Sequence, residues 1–280
     1  MILVFGKSGQ IASHLAKYNK VICLSRNECD GLIRGQATDF IKKLDPELII
    51  NAAAYTDVTN SENNIDAAFE LNARFPEEIA KASHKNKIPI IQLSTDYVYG
   101  NTNEASITES HPCLPLNEYG KSKLEGEKSI KEISSRYLIL RTSWIFSEYS
   151  QNFVKKILKQ VNTNAQTIEV VSDQIGCPSS AKSVADTVFQ LGIKLREMQK
   201  YGEVYNYCGL PATSWSGFAE EIVSRISRNI RVKKIKTNHK LIPKRQNCSI
   251  LNCQKIKKDF NISQHNWHEE LDYIMKKFND

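Results

Sequence analysis

Tyr119 stands four residues ahead of Lys123 in the stretch NEYGKSKLEGE. On a helix those side chains share one face, where an ammonium stabilises a phenolate and turns a phenol into a proton donor. A free phenol holds its proton to a pH of about 10, so a cationic neighbour is what such chemistry needs. Spacing alone decides little. With 11 Tyr and 28 Lys in 280 residues, about one such pair is expected by chance. A second, Tyr273 and Lys277 in YIMKK, is indeed present. Whatever separates the pairs lies in the elements that position them.

Those elements alternate in the first half of the chain. MILVF, VICLS, ELIINAAA, IPIIQLST and YLILRTSW read as buried strands, with helical patterns such as AAFELNARFPEEIAKASHK between them. Continuous apolar strands separated by helices predict a parallel sheet covered on both faces. The fold class is therefore α/β, a doubly wound Rossmann-type sheet. After Trp144 the alternation loosens into amphipathic helices, short strands and basic loops. The expected division is a dinucleotide-binding region over 1–145, with 165–202 packing back onto it. Residues 146–164 and 203–280 are expected to form a smaller C-terminal α/β substrate-binding region.

Composition narrows the classes. Hydrophobic content of 41% and charged content of 25% belong to an ordinary globular protein, and no apolar run approaches the roughly 20 residues of a membrane span. Seven cysteines without C-x-x-C spacing read as reduced thiols in a cytoplasmic protein rather than a zinc site. The net charge of +7, densest from Arg231 to Arg245, favours an anionic small-molecule partner. No aromatic-interleaved basic stripe points to nucleic acid.

GKSGQIA follows the first strand, with Gly6 and Gly9 as the turn glycines and Ala12 in place of a third. Glycines there let the backbone approach a pyrophosphate, whose charge the helix N-terminus stabilises; Ser8, Gln10 and Ile11 complete the turn. At the end of the second strand, where an acidic residue would meet a free ribose hydroxyl, the chain offers Ser25 and Arg26. A guanidinium fork suits a 2′-phosphate, so NADPH is expected, with NADH still admissible. Asp30 is a candidate acceptor for the adenine amino group. Ala52, Ala53 and Ala54 offer a flat wall to the cofactor, and Ser94, Thr95 and Asp96 sit at the strand-end edge where such sheets bind ligands.

In order, GKSGQIA, NAAAYTDV, STDYVYG, PLNEYGKSKLEGE, RTSW and DQIGCP resemble the extended short-chain dehydrogenase/reductase family, within it the dTDP-4-dehydrorhamnose reductase branch. The resemblance runs from Met1 to about Lys258. It implies that Thr95, Tyr119 and Lys123 are catalytic, with Tyr119 and Lys123 also holding the nicotinamide ribose. It further implies that Gly6, Gly9, Gln10 and Ile11 bind phosphate, and that Asp96, Tyr97, Trp144 and Gln174 line a sugar-nucleotide pocket. The implied reaction is NADPH-dependent reduction of a 4-keto-6-deoxy sugar nucleotide, dTDP-4-dehydrorhamnose to dTDP-L-rhamnose, in cell-surface polysaccharide synthesis. Tyr273 and Lys277 have no strand-end hydroxyl before them and are assigned to a structural helix.

Three departures stand out. Where the family commonly has Arg-Pro-x-Asn-Ser-x-Leu, this chain reads RQNCSIL, keeping Arg245 for a diphosphate but placing Gln246 at the proline and Cys248 at the asparagine. His14 and Lys182 stand where some relatives place acidic residues for a magnesium-linked dimer, so no metal is expected, in a monomer or a homodimer. DYVYG is a shortened form of the family's DYVFDG. Two other readings stay open: a different sugar-nucleotide ketoreductase or epimerase, and a regulatory subunit of the methionine adenosyltransferase type.

Overall fold

The computed structural model describes residues 1–163, 166–226, 230–238 and 242–279. Residues 239–241 of the basic stretch, and residue 165, lie outside the described residues. Six parallel strands form the central sheet: β1 (Ile2–Phe5), β2 (Val21–Leu24), β3 (Leu48–Asn51), β4 (Ile90–Thr95), β5 (Arg136–Thr142) and β7 (Tyr201–Asn206). Their spatial order is β7-β5-β4-β3-β1-β2. The chain therefore switches direction between β1 and β3, opening a crevice at the strand ends.

Period-two side chains divide each strand between two cores. Ile2 and Val4 of β1 join Val184, Val188 and Leu191 of α7 (Ala181–Glu197), with Ala12 and Leu15 of α1 (Gln10–Leu15). Leu3 and Phe5 face the other way, onto Ile41 of α2 (Gln36–Leu44), Ile79 of α4 (Phe75–Lys85) and Ile130 of α5 (Glu118–Ile133). Both faces are thus covered, as the unbroken apolar strands require. Ahead of α4, the short α3 (Ile65–Phe69) runs into a wide π-helical turn, Glu70–Arg74.

A third core belongs to the smaller region. It joins α6 (Phe153–Asn162), β6 (Thr167–Val171), α8 (Trp215–Ser224) and α10 (Trp267–Asn279) through Ile157, Ile168, Phe218 and Trp267. Here β6 pairs in parallel with β8 (Arg231–Ile235). The short helix α9 (Gln254–Phe260) packs beside β7.

The expected 165–202 segment divides. α7 packs on the sheet, but β6 buries Ile168 and Val170 in the smaller region's core, because its alternating pattern has one apolar face to cover. The expected boundary at 203 falls inside β7, which extends the main sheet beside β5. This edge strand, YGEVYN, leaves Gly202 and Glu203 exposed, so it lacks the continuous apolar signature of the inner strands.

Candidate active site

Helix α5 starts under a cap: Asn117 Oδ1 accepts from the Gly120 N–H at 2.8 Å, satisfying a donor the helix itself leaves open. The Asn117 amide also donates to the Lys244 carbonyl at 2.9 Å. From that start, Tyr119, Lys123 and Glu127 recur every four residues along one buried face. The helix fits tightly against the wide turn at 70–74, where a Cβ on Gly126 would fall 2.1 Å from the Asn72 carbonyl oxygen. Asn72 in turn donates to Ser122 Oγ at 3.0 Å. The sequence predicts both helix and pair, and the backbone places them against the end of β4.

Thr95 closes β4, and its hydroxyl donates to Asp96 Oδ1 at 3.0 Å beside the Tyr119 phenol. Burial drives the Tyr119 pKa up, with the nearby Thr95 hydroxyl pulling the other way, so the phenol stays protonated at neutral pH. Burial lowers Lys123 to about 8, against the opposing charge of Glu127. Its ammonium donates to the Leu93 carbonyl at 2.7 Å. The three side chains retain 7%, 8% and 4% exposure for Thr95, Tyr119 and Lys123, so the Lys123 charge acts on its neighbours with little screening.

Glu127 and Arg141 complete the face. The carboxylate accepts from Arg141 Nε at 2.8 Å and Nη2 at 2.5 Å, and from Ser94 Oγ at 2.6 Å. Burial would raise its pKa, but the guanidinium and the Ser94 hydroxyl hold it below the ordinary carboxylate range. The pair is dry, and its paired oxygens and nitrogens make that tolerable; Arg141 Nη1 has no hydrogen-bond partner among the described residues, and the guanidinium lies 4.7 Å over the Tyr99 ring. Sequence reasoning assigned neither residue, although both lie inside the quoted blocks.

On the β3 side opens a cleft of about 570 Å³, lined by Gly6, Ser8–Ile11, Arg26, Asp30 and Ala52–Ala54. Gly6 has φ of +97°, and a Cβ there would fall 2.7 Å from the Ala53 nitrogen. The turn and the alanine wall therefore approach as only glycine permits, leaving backbone room for a pyrophosphate. The residues fit a dinucleotide. Arg26 is 70% exposed and pairs with Asp30 at 3.3 Å, free to swing onto a phosphate. Ser25 is placed differently: its hydroxyl donates to Glu28 at 2.7 Å, captured locally away from the lining.

The loop after β5 straps this turn. Gln10 Oε1 accepts from Ser147 Oγ at 2.8 Å and from the Asn152 amide at 3.1 Å, and Ser150 Oγ donates to the Ser8 carbonyl at 2.7 Å. Asn152 also caps α6, its Oδ1 accepting from the Lys155 N–H at 3.2 Å.

A second cavity, about 720 Å³, lies in the smaller region and is lined by Phe153, Lys156, Gln174, Trp215, Lys244 and Arg245 among others. Gln174 donates to Thr237 at 3.0 Å. Arg245 donates to the Tyr97 hydroxyl at 2.8 Å, and the Tyr97 ring meets Tyr119 edge-on at 5.5 Å, linking this cavity to the Thr95–Tyr119 pair. Of the expected lining residues only Gln174 and Arg245 are on this wall; Thr95, Asp96, Tyr97 and Trp144 are not. Asp96 is 1% exposed, its carboxylate accepting from Thr95 at 3.0 Å and Gln246 at 2.6 Å. Trp144 stacks at 3.6 Å on Trp215, which carries the aromatic surface instead. Burial raises Asp96 to about 6, opposed by hydrogen bonds from Ser249 and Thr95.

The second Tyr-x-x-x-Lys pair is placed on the outside. Tyr273 is 49% exposed, Lys277 lies 4.4 Å over its ring, and the ammonium pairs with Glu148 at 2.6 Å. His14 Nε2 stands 3.4 Å from Glu148, and Lys182 pairs with Asp186 at 2.7 Å.

Comparison with known proteins agrees with this geometry. Residues 1–279 match the family described as "RmlD substrate binding domain". The dTDP-4-dehydrorhamnose reductase of Aggregatibacter actinomycetemcomitans is 34% identical, over 98% of this chain and 97% of its own length. That of Salmonella typhimurium is 31% identical, over 95% and 94%. Among solved structures, a dTDP-4-dehydrorhamnose reductase from Clostridium acetobutylicum superposes with a TM-score of 0.92 at 29% identity, covering 100% of this chain and 99% of that one. The Bacillus anthracis enzyme in complex with NADP gives 0.89 at 28% identity, covering 99% and 98%.

Proposed function

The chain belongs to the RmlD substrate-binding family, whose curated relatives are dTDP-4-dehydrorhamnose reductases, and from that premise we propose that it reduces dTDP-4-dehydrorhamnose to dTDP-L-rhamnose with NADPH. The observation that carries the reading is the buried Thr95–Tyr119–Lys123 group, joined through Tyr97 to a cavity bearing Lys156, Lys244 and Arg245, in a fold that also opens a dinucleotide cleft.

NADPH, held by the Gly6–Ile11 turn and the Ala52–Ala54 wall, supplies the hydride when bound. Tyr119 gives its phenolic proton to the oxygen of the C4 carbonyl as that oxygen gains charge. The cationic Lys123 on the same helix face stabilises the phenolate left behind. Thr95 fixes the carbonyl oxygen by hydrogen bonding. In the second cavity the guanidinium and ammonium groups suit a diphosphate, and Phe153 and Trp215, 4.5 Å apart, give a base an apolar face.

Seven free thiols, six of them buried, support a reducing, cytoplasmic setting. Among the described residues no helix is long and apolar enough to cross a membrane. The test is NADPH oxidation against dTDP-, UDP-, GDP- and CDP-linked 4-keto sugars, with product configuration read by NMR. Turnover confined to the dTDP sugar, with one NADPH consumed per product, supports the assignment. Catalytic recycling of the cofactor points to an epimerase. No turnover with any substrate, together with co-purification of a synthetase, moves the reading to a regulatory subunit.

A further inference from the structure

We propose that Gln246 is a positioning residue for the reaction, its carboxamide securing the Asp96 carboxylate so that the Thr95 hydroxyl is released to the substrate oxygen. The inference rests on the reading of Thr95 as a substrate-contacting group. Gln246 occupies the position of the family's common proline, which carries no side-chain donor. Here the side chain is 5% exposed, and Nε2 lies 2.6 Å from Asp96 Oδ2 and 2.8 Å from Ser249 Oγ. Two acceptors on one nitrogen fix which way the amide points.

A threonine hydroxyl has one proton. In this structure it points to Asp96 Oδ1 at 3.0 Å, while the Tyr97 N–H reaches the Thr95 oxygen at 3.3 Å. Thr95 therefore donates to a carbonyl only by leaving Asp96. That departure strips a donor from a carboxylate with 1% exposure, and buried acceptors without donors are costly. Gln246 supplies a donor on the other oxygen and at the same time holds Ser249, the other side-chain donor to this carboxylate, so the carboxylate keeps its partners while the hydroxyl turns.

Among the described residues no cation shares this task. The groups facing Asp96 are Ser249, whose hydroxyl also bonds the carboxylate, Tyr119 on α5, the adjacent Tyr97, Cys177 ahead of α7, and Cys248 two residues beyond Gln246. Burial keeps both tyrosines and Cys248 protonated; for Cys177 the hydrogen bond with Cys208 does most of this, with burial adding to it. The Arg245 guanidinium is engaged by the Tyr97 hydroxyl. The same segment is anchored to the catalytic helix, because the Lys244 carbonyl takes the second bond of the α5 cap, Asn117.

The experiment follows the Asp96 carboxyl by NMR in protein labelled with ¹³C-aspartate, without substrate, and measures kcat and KM in parallel. Gln246→Met keeps length and removes the donor. The Asp96 midpoint should rise by about one pH unit, since a lost donor disfavours the charged form. The kcat should fall roughly tenfold, with KM for NADPH unchanged. Gln246→Glu, a second variant of nearly native shape, should move the midpoint further up through the added like charge. In an Asp96→Asn background Gln246→Met should cost little more, because the two act as one unit. An unmoved midpoint in either folded variant overturns the proposal, as do fully additive losses in the double variant. If the wild-type protein reduces no 4-keto sugar nucleotide, the reaction assignment falls, while the midpoint still decides whether Gln246 holds Asp96.

Discussion

Lys123 reaches across from α5 to donate to the carbonyl of Leu93 on β4, 2.7 Å away and two residues short of Thr95. The helix and the strand that carry the reacting groups are therefore tied at the lysine itself. Tyr119 and Thr95 meet because this bond, the Ser94–Glu127 bond and the Asn117 cap set α5 against the strand end.

Replacing Tyr119 by Phe removes the proton donor and almost nothing else. Turnover should fall by about 10²–10⁴-fold, with NADPH affinity by fluorescence titration kept within a few-fold. Near-wild-type turnover would remove Tyr119 from the mechanism.

The pH profile should expose Lys123. Burial lowers its pKa to about 8 from the ordinary 10.5, so the ammonium is present below that pH and lost as pH rises through it. Stabilisation of the Tyr119 phenolate is lost with it, and kcat/KM should decline on the alkaline side with a midpoint near 8. Lys123→Met should lower the plateau and erase that limb. A limb that persists in the variant belongs to another group.

Glu127→Ala leaves Arg141 2% exposed and without its counter-charge. Removing one partner of a buried pair costs about 3–5 kcal/mol, which urea unfolding should register as a lower midpoint at similar slope. Adding Arg141→Ala should recover part of the loss. A cost below about 1 kcal/mol would place the pair among those that solvent screens.

Among the described residues Arg26 pairs with Asp30 at 3.3 Å, and most of its surface is exposed. If its guanidinium meets the 2′-phosphate, Arg26→Ala should cut kcat/KM for NADPH by roughly tenfold and leave NADH almost untouched. The ratio of the two, measured before and after, is the readout; an unchanged ratio assigns the preference elsewhere.

Strands β1 to β5 were readable because each is a short run rich in Ile, Leu and Val, and the glycine turn because a backbone approach demands it. What escaped the sequence is long-range. Gln246 and Asp96 are 150 residues apart in the chain, and Trp144 and Trp215 meet only once the smaller region folds over the sheet. Strand β7 hid because an edge strand exposes polar residues, and its partner β5 supplies the pairing that its own pattern does not announce. The Ser25 hydroxyl is engaged by Glu28 three residues on, a local bond that the spacing alone did not announce. The two Tyr-x-x-x-Lys pairs are alike as spacing and opposite as environment, one dry against a strand end and the other a cation over an exposed ring.

The Asn152 amide grips Gln10 of the phosphate-binding turn with one end and starts α6 with the other, and α6 is a wall of the second cavity. With the Ser147–Gln10 and Ser150–Ser8 bonds beside it, the 147–152 loop is a common footing for both seats, so the turn that faces a dinucleotide and the helix that walls the second cavity share one foundation.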